Sequence, residues 1–209
     1  VRGGVRYRVA SFLDFGLAAE RTRSTFEFRP QENDNSSEAI IFSTHYSRPR
    51  AYIDLSGGYR KGSPANGSTF PTYETGTGSY FASYRLSAPV EFQAFGQRRV
   101  SYSVFAQNPY FYETINGLAL TTKVGSRLSL RAFGEAGVND YPSIIRSGSQ
   151  IGGRKDDVLT YGGGFGVRLY RNVGVTVLVS ENNFDSNIDA FDRSIFRVQT
   201  ALTLTGDFR

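Results

Sequence analysis

Apolar and polar residues alternate along almost the whole chain with a period of two, the pattern of strands whose two faces meet different surroundings. In the stretch YGGGFGVRLYRNVGVTVLVS, Val173, Val175, Val177 and Val179 share one side, and Gly174, Thr176 and Ser180 share the other, with Leu178 as the exception. Just before it, Leu159, Tyr161, Phe165, Val167 and Leu169 oppose Thr160, Gly162, Gly164, Gly166 and Arg168. The split recurs at 128–138, where Leu128, Leu130, Ala132, Ala136 and Val138 oppose Ser129, Arg131, Glu135 and Asn139, and again at 51–60. In the last strand Phe196, Val198, Leu202 and Leu204 oppose Arg197, Gln199, Thr203 and Thr205. This template predicts about eleven strands and no sustained helix. Phe95 and Arg98 break the alternation in the strand from 91 to 105.

The links alternate in length. Tight ones fall at Ala10-Ser11-Phe12, Arg48-Pro49-Arg50, Ala88-Pro89, Gly125-Ser126 and Arg171-Asn172, and long polar ones are EFRPQENDNSSE, GSPANGSTFPTYETG, QNPYFYE, YPSIIRSGSQIGGRKDD and DSNIDAFD. An antiparallel meander with every second link long carries short turns at one end and large loops at the other, the asymmetry of outer-membrane barrels. Tyr7, Phe15, Tyr46, Tyr52, Tyr84, Phe92 and Tyr170 collect near the tight links, as in an aromatic girdle between lipid and water.

Strand length decides which solvent the apolar side meets. Strands of soluble sheets average about five or six residues, whereas alternation here persists for about ten, enough to cross a bilayer at a tilt. Hydrocarbon requires every backbone polar group to be paired internally, which a closed sheet achieves without an edge. The expected fold is all-β: an antiparallel up-and-down transmembrane β-barrel of about 11–12 strands, one domain over 1–209. An odd strand count conflicts with the even parity of such barrels. Either one strand is merged or missed in this count, or the chain is the C-terminal part of a larger barrel, and VRGGVRYRVA, with neither an initiator Met nor a signal segment, favours the second slightly.

Composition narrows the chemistry. With Cys 0, disulfides, thiolate metal sites and cysteine nucleophiles are excluded within this chain. The net charge of +5 is almost all arginine, since lysine stands only at Lys61, Lys123 and Lys155, and arginine suits an ordered charged wall. The polar faces predict a lumen lined by Arg6, Arg8, Arg60, Arg85, Arg99, Arg131, Glu135, Arg168 and Arg197, with Asp14, Glu20, Asp54 and Glu91 interspersed. An excess of arginine over carboxylate favours anions, while pairing of the two across strands would stiffen the wall.

The stretches GVRYRVASFLDFGLAAERTRSTFEFRPQENDNSSEAIIFSTHYSRPRAYIDLSGGYRK and GFGVRLYRNVGVTVLVSENNFDSNIDAFDRSIFRVQTALTLTGDF share one unit: a strand, a tight Arg/Asn/Ser turn, a strand ending in charged residues, and an Asp/Asn-rich loop. By this unit the chain resembles porin-type bacterial outer-membrane β-barrel proteins, and more specifically it is similar to barrels of exopolysaccharide export systems. Leu202, Leu204 and Phe208 look like an outer-membrane assembly signal, although Arg209 follows where such proteins end on the aromatic. The resemblance implies a bacterial outer-membrane location, lipid contact, a polar or anionic solute or polysaccharide, and periplasmic or outer-membrane partner proteins.

Other motifs carry less. His45, the single histidine, falls on a polar face with no selected nucleophile or acid, so no enzymatic site is expected. Asp185, Asn187 and Asp189 have the oxygen spacing of a calcium loop, but Ala190 and Phe196 stand where an EF-hand needs Gly and Glu, and a solvated loop is the simpler reading. GGGFG runs on into a strand rather than a helix, so these glycines are expected to leave bore or allow close packing, not to cradle phosphate. No cofactor is expected, and without a recognition fold or basic cluster the charge points to no nucleic acid. The expected function is a passive channel or secretion port. The alternatives are a structural or adhesive barrel that binds a partner protein and, further off, a soluble β-sandwich binding module.

Overall fold

The computed structural model describes residues 1–27, 30–105, 108–147, 150–170 and 173–204, and within them every side chain except those of 104–105, 143–147 and 150–152. Eleven strands follow one another in sequence and in space as a single sheet. They are β1 (Arg2–Ala10), β2 (Leu13–Ser24), β3 (Asn35–Ser47), β4 (Ala51–Pro64), β5 (Tyr73–Arg85), β6 (Val90–Phe105), β7 (Asn108–Val124), β8 (Leu128–Ser147), β9 (Gln150–Tyr170), β10 (Val173–Ser186) and β11 (Arg193–Leu204). A one-turn helix α1 (Pro30–Asn33) and a 3-10 turn (Asp189–Phe191) are the only helical pieces among the described residues. Each strand is antiparallel to the next. This is the antiparallel up-and-down fold of a transmembrane β-barrel wall. With an odd number of strands, β1 and β11 run in the same direction.

Register puts all the apolar sets on one side. Leu17 stands opposite Phe42, Ile40 opposite Tyr59, Leu55 opposite Tyr80, and Leu130 opposite Phe165, which is in turn opposite Val177. These side chains are uncovered: Ile40 is 65%, Leu118 54% and Val198 58% exposed. An apolar surface this extensive marks a face that is solvated by something other than water. It runs for about seven residues on strands such as β2 and β10 and about eleven on β8 and β9, which at a rise of about 3.4 Å and a tilt of about 40° spans roughly 18–29 Å, bracketing the height of a hydrocarbon band. Toward the long-loop end it gives way to ionisable groups, with Arg21 3.6 Å from Glu38 and Lys61 2.7 Å from Glu74. Among the described residues no helix is long and apolar enough to cross a membrane, which says nothing of strands.

The opposite face is concave: Arg60 on β4 reaches Glu20 on β2, and Arg131 on β8 reaches Gln93 on β6, each across an intervening strand. Glycine makes this curvature possible. A Cβ at Gly164 would lie 2.1 Å from the Val177 carbonyl oxygen, and one at Gly58 would lie 2.0 Å from that of Ile40. Cross-strand aromatic rings cover other glycines: Tyr80 over Gly96, Phe95 over Gly117, Phe133 over Gly162. Covering a bare backbone with a facing ring restores packing that the missing side chain gives up. The GGGFG segment is thus close-packed wall.

Three expectations are corrected. Tyr52 lies on the concave face, edge-on to His45 and Phe81, so it is not part of the girdle that Tyr7, Phe15, Tyr46, Tyr84 and Phe92 form outside. Most of QNPYFYE belongs to β7, which begins at Asn108. Of YPSIIRSGSQIGGRKDD, residues 141–147 belong to β8 and 150–157 to β9, and their ladder runs out to Ser147 opposite Gln150. Its proline is accommodated because the register shifts between Tyr141 and Ile144, so Pro142 owes the ladder no N–H. The Arg171-Asn172 turn, Thr205, and the terminal Phe208 and Arg209 lie outside the described residues.

Candidate functional site

The concave face is the polar wall, and register places Arg6, Arg8, Arg60, Arg85, Arg99, Arg131, Glu135, Arg168 and Arg197 on it. Several are tied down. Arg8 Nε donates to Asp14 at 3.2 Å, and Arg60 donates to Glu20 at 2.5 Å and to Ser37 at 2.8 Å. Arg99 pairs with Glu113, a carboxylate that sequence alternation also places on this face but that was not singled out. Arg131 donates to Gln93 at 2.9 Å, and Gln93 donates to Glu91 at 2.7 Å. Arg6, Arg85, Arg168 and Arg197 make no side-chain hydrogen bond or ion pair among the described residues and are exposed. The wall therefore combines carboxylate-clamped arginines with free ones, and it keeps positive charge facing the concavity.

A cavity of about 730 Å³ opens on this face at mid-height, lined by Tyr52, Asp54, Gln97 and Glu135 among others. His45 Nδ1 stands 3.5 Å from Asp54 Oδ2 beside it. The Tyr52 hydroxyl donates to the same carboxylate oxygen at 3.4 Å, so His45 and Tyr52 share Asp54 as a loose partner.

The long-loop end is built differently. The β5–β6 ladder ends at Gly78 opposite Arg98, leaving the upper part of β6 paired with β7 alone. From there the β6–β7 hairpin leans over the concave face. Tyr102, whose parity matches the lipid-facing side, donates to Asn35 at 2.8 Å, and Phe70, Tyr73 and Tyr110 form a buried aromatic cluster with Val100 and Tyr112 packed on it. Asp34 anchors the adjoining loops by accepting from Asn66 at 2.6 Å and from the Phe26 N–H at 2.9 Å, which hold its carboxyl below the usual carboxylate range.

On the other side, Phe111 stacks on Tyr141 at 4.9 Å, and the Arg154 guanidinium sits 4.3 Å from the Tyr141 ring and 3.9 Å from the Phe191 ring. Arg154 is held by a two-pronged bond to Asp156 at 2.8 and 2.5 Å, both side chains being 0% exposed. Neither residue was picked out from sequence, although their spacing by two puts them on one strand face.

Asp185, Asn187 and Asp189 have separate roles at the β9–β10 end of the sheet. Asn187 accepts from the Lys155 N–H and donates to the Gly153 carbonyl, both at 2.8 Å, Asp189 opens the 3-10 turn, and Asp185 stands opposite Asp157 on β9. Among the described residues no group of three or more His, Asp or Glu side chains is placed to hold a metal.

No protein-family model and no curated protein matches the sequence. Among solved structures the chain is similar to the copper transporter OprC, with a TM-score of 0.58 and 12% identity, over 98% of this chain and 42% of that one. The chain thus spans less than half the length of that structure, and at this identity the likeness concerns the fold.

Proposed function

We propose that this chain is the wall of an outer-membrane conduit that passes polar solutes, anions preferentially, by steric and electrostatic selection without a covalent step. The supporting observation is a concave face on which Arg6, Arg85, Arg168 and Arg197 remain without carboxylate partners among the described residues, beneath an outer face that is apolar over a membrane's thickness. A charged wall facing water selects solutes by sign. Acidic polysaccharide is the polymeric solute that such a wall suits, and the bacterial outer membrane is the setting in which a strand-built span belongs. Copper, named for the similar structure, does not carry over. Soft copper sites draw on thiolate, thioether and imidazole, and this chain has Cys 0, Met 0 and His 1.

Closing the ribbon with antiparallel ladders alone takes an odd number of further strands, because β1 and β11 run the same way. The reading as part of a larger barrel meets that requirement.

Reconstitution into planar bilayers tests the proposal. Stable conductance is expected, with a reversal potential in a potassium chloride gradient displaced toward that of chloride. A bilayer that stays silent with correctly inserted protein would overturn the conduit. It would favour the second reading, a barrel with an occluded bore whose loops bind a partner, which the inward-leaning β6–β7 hairpin and its aromatic cluster support.

A further inference from the structure

The tight-turn end carries a pocket that the lumen reading did not single out. Between the β7–β8 turn and the adjoining ends of β9 and β10 lies a cavity of about 480 Å³, lined by Lys123, Arg127 and Arg168 together with Ser129 and Thr176, and among the described residues by no Asp or Glu. The three cations come from different segments yet are tied to one spot. Lys123 is opposite Ser129 on the concave face, and the Arg168 N–H donates to the Arg127 carbonyl at 2.8 Å. Gly125, with φ 64, sets the turn between them. None of the three has a side-chain hydrogen bond or ion pair among the described residues. Room is kept by Gly166, where a Cβ would lie 2.7 Å from Ser129 Oγ and 3.4 Å from Thr176 Oγ1.

We propose that this pocket is an anion-binding vestibule at the turn-end mouth, taking a phosphate- or carboxylate-type group of the passing solute. Three positive charges around one concavity, without an ion-pair partner among the described residues, repel each other and are relieved by a counter-charge. The fork of an arginine grips two oxygens of such a group at once, while a lysine acts as a point charge. Ser129 Oγ already donates to the Gly166 carbonyl at 3.3 Å, so the Thr176 hydroxyl is the further donor, and the exposure of the cations keeps the affinity modest and salt-dependent. The proposal rests on the conduit reading for its biological sense, but binding itself is measurable without conduction.

The experiment follows inorganic phosphate by the linewidth of its phosphorus resonance against protein refolded in zwitterionic micelles, with a parallel measurement of phosphate block in planar bilayers. The wild-type chain is expected to broaden the signal at millimolar phosphate. The combined variant Lys123→Gln, Arg127→Gln, Arg168→Gln is expected to need at least tenfold more phosphate, and Arg168→Lys, which keeps the charge, to stay within about threefold of wild type. Circular dichroism of each variant reports whether the sheet has formed. Equal broadening by wild type and the folded triple variant would overturn the vestibule. Binding that is lost in the triple variant supports it even if no current flows, a result that would sink the conduit alone. Broadening abolished by a small fraction of phosphatidylglycerol in the micelle would assign the pocket to a lipid headgroup and overturn its assignment to the solute.

Discussion

Replacing Leu118 with arginine will cost the inserted protein about 2–4 kcal/mol, the penalty for a charged side chain near the middle of a barrel's lipid-facing band. Leu118 is 54% exposed, sits opposite Ala94 on β6 and Gly134 on β8, and belongs to the apolar parity of every neighbouring strand. On a water-solvated surface the same change would lie within about 0.5 kcal/mol. The companion variant Gln199→Arg, on the polar parity of β11 opposite Leu178, is expected to stay within about 0.5 kcal/mol in the same membrane. Urea titration of refolding into phosphatidylcholine vesicles measures both. A Leu118→Arg midpoint that coincides with that of the unsubstituted chain would refute the lipid-facing assignment.

Asp156→Ala will be the second large effect, of about 3–5 kcal/mol on the local stability of the β8–β9 hairpin, because it leaves a dry guanidinium without its carboxylate. Arg154 and Asp156 are both fully shielded, and the guanidinium lies between the rings of Tyr141 and Phe191, so no solvent is at hand to take over the charge. A buried ion pair need not stabilise relative to apolar replacements. The double variant Arg154→Met with Asp156→Leu is therefore expected to recover most of the loss. The hairpin's outer part opens locally and not with the whole sheet, so the measurement is limited proteolysis of the inserted protein. Faster cleavage confined to this hairpin in Asp156→Ala, and near-normal resistance in the double variant, is the expected pair of results. Unchanged resistance in Asp156→Ala would show that the pair carries no structural load.

Much of this architecture follows from period-two alternation. A strand half in lipid and half facing a polar concavity must alternate, so the faces of β4, β8, β9, β10 and β11 were legible from residues such as Ile53 against Asp54 or Leu130 against Arg131. The positions that failed are those where local punctuation and the ladder disagree. Pro109 and Pro142, and the Gly152-Gly153 pair, read as loop signals, yet β7 starts beside the first and the β8–β9 ladder absorbs the others through a register shift. Tyr52 was misassigned because nearness to a tight turn says nothing about parity, and Asp54, two residues on, already marked that side as polar.

The remaining features have no local signature at all. Whether Arg60 meets Glu20, whether Tyr102 meets Asn35, and whether Phe191 caps Arg154 depend on how strands far apart in sequence curve toward one another. For the concave wall, parity identified which arginines share a face. It left open which of them carboxylates neutralise, and that division separates clamped Arg8, Arg60 and Arg99 from Arg6, Arg85, Arg168 and Arg197, which have no ion pair among the described residues.

The solvent of the apolar face is best read with single reporter sites, which the chain accepts cleanly since it has Cys 0. A fluorophore attached at Leu118→Cys or Val198→Cys should be quenched by brominated lipid chains and spared by aqueous iodide, with the opposite response at Thr176→Cys and Gln199→Cys. Iodide quenching without lipid quenching at positions 118 and 198 would contradict the account.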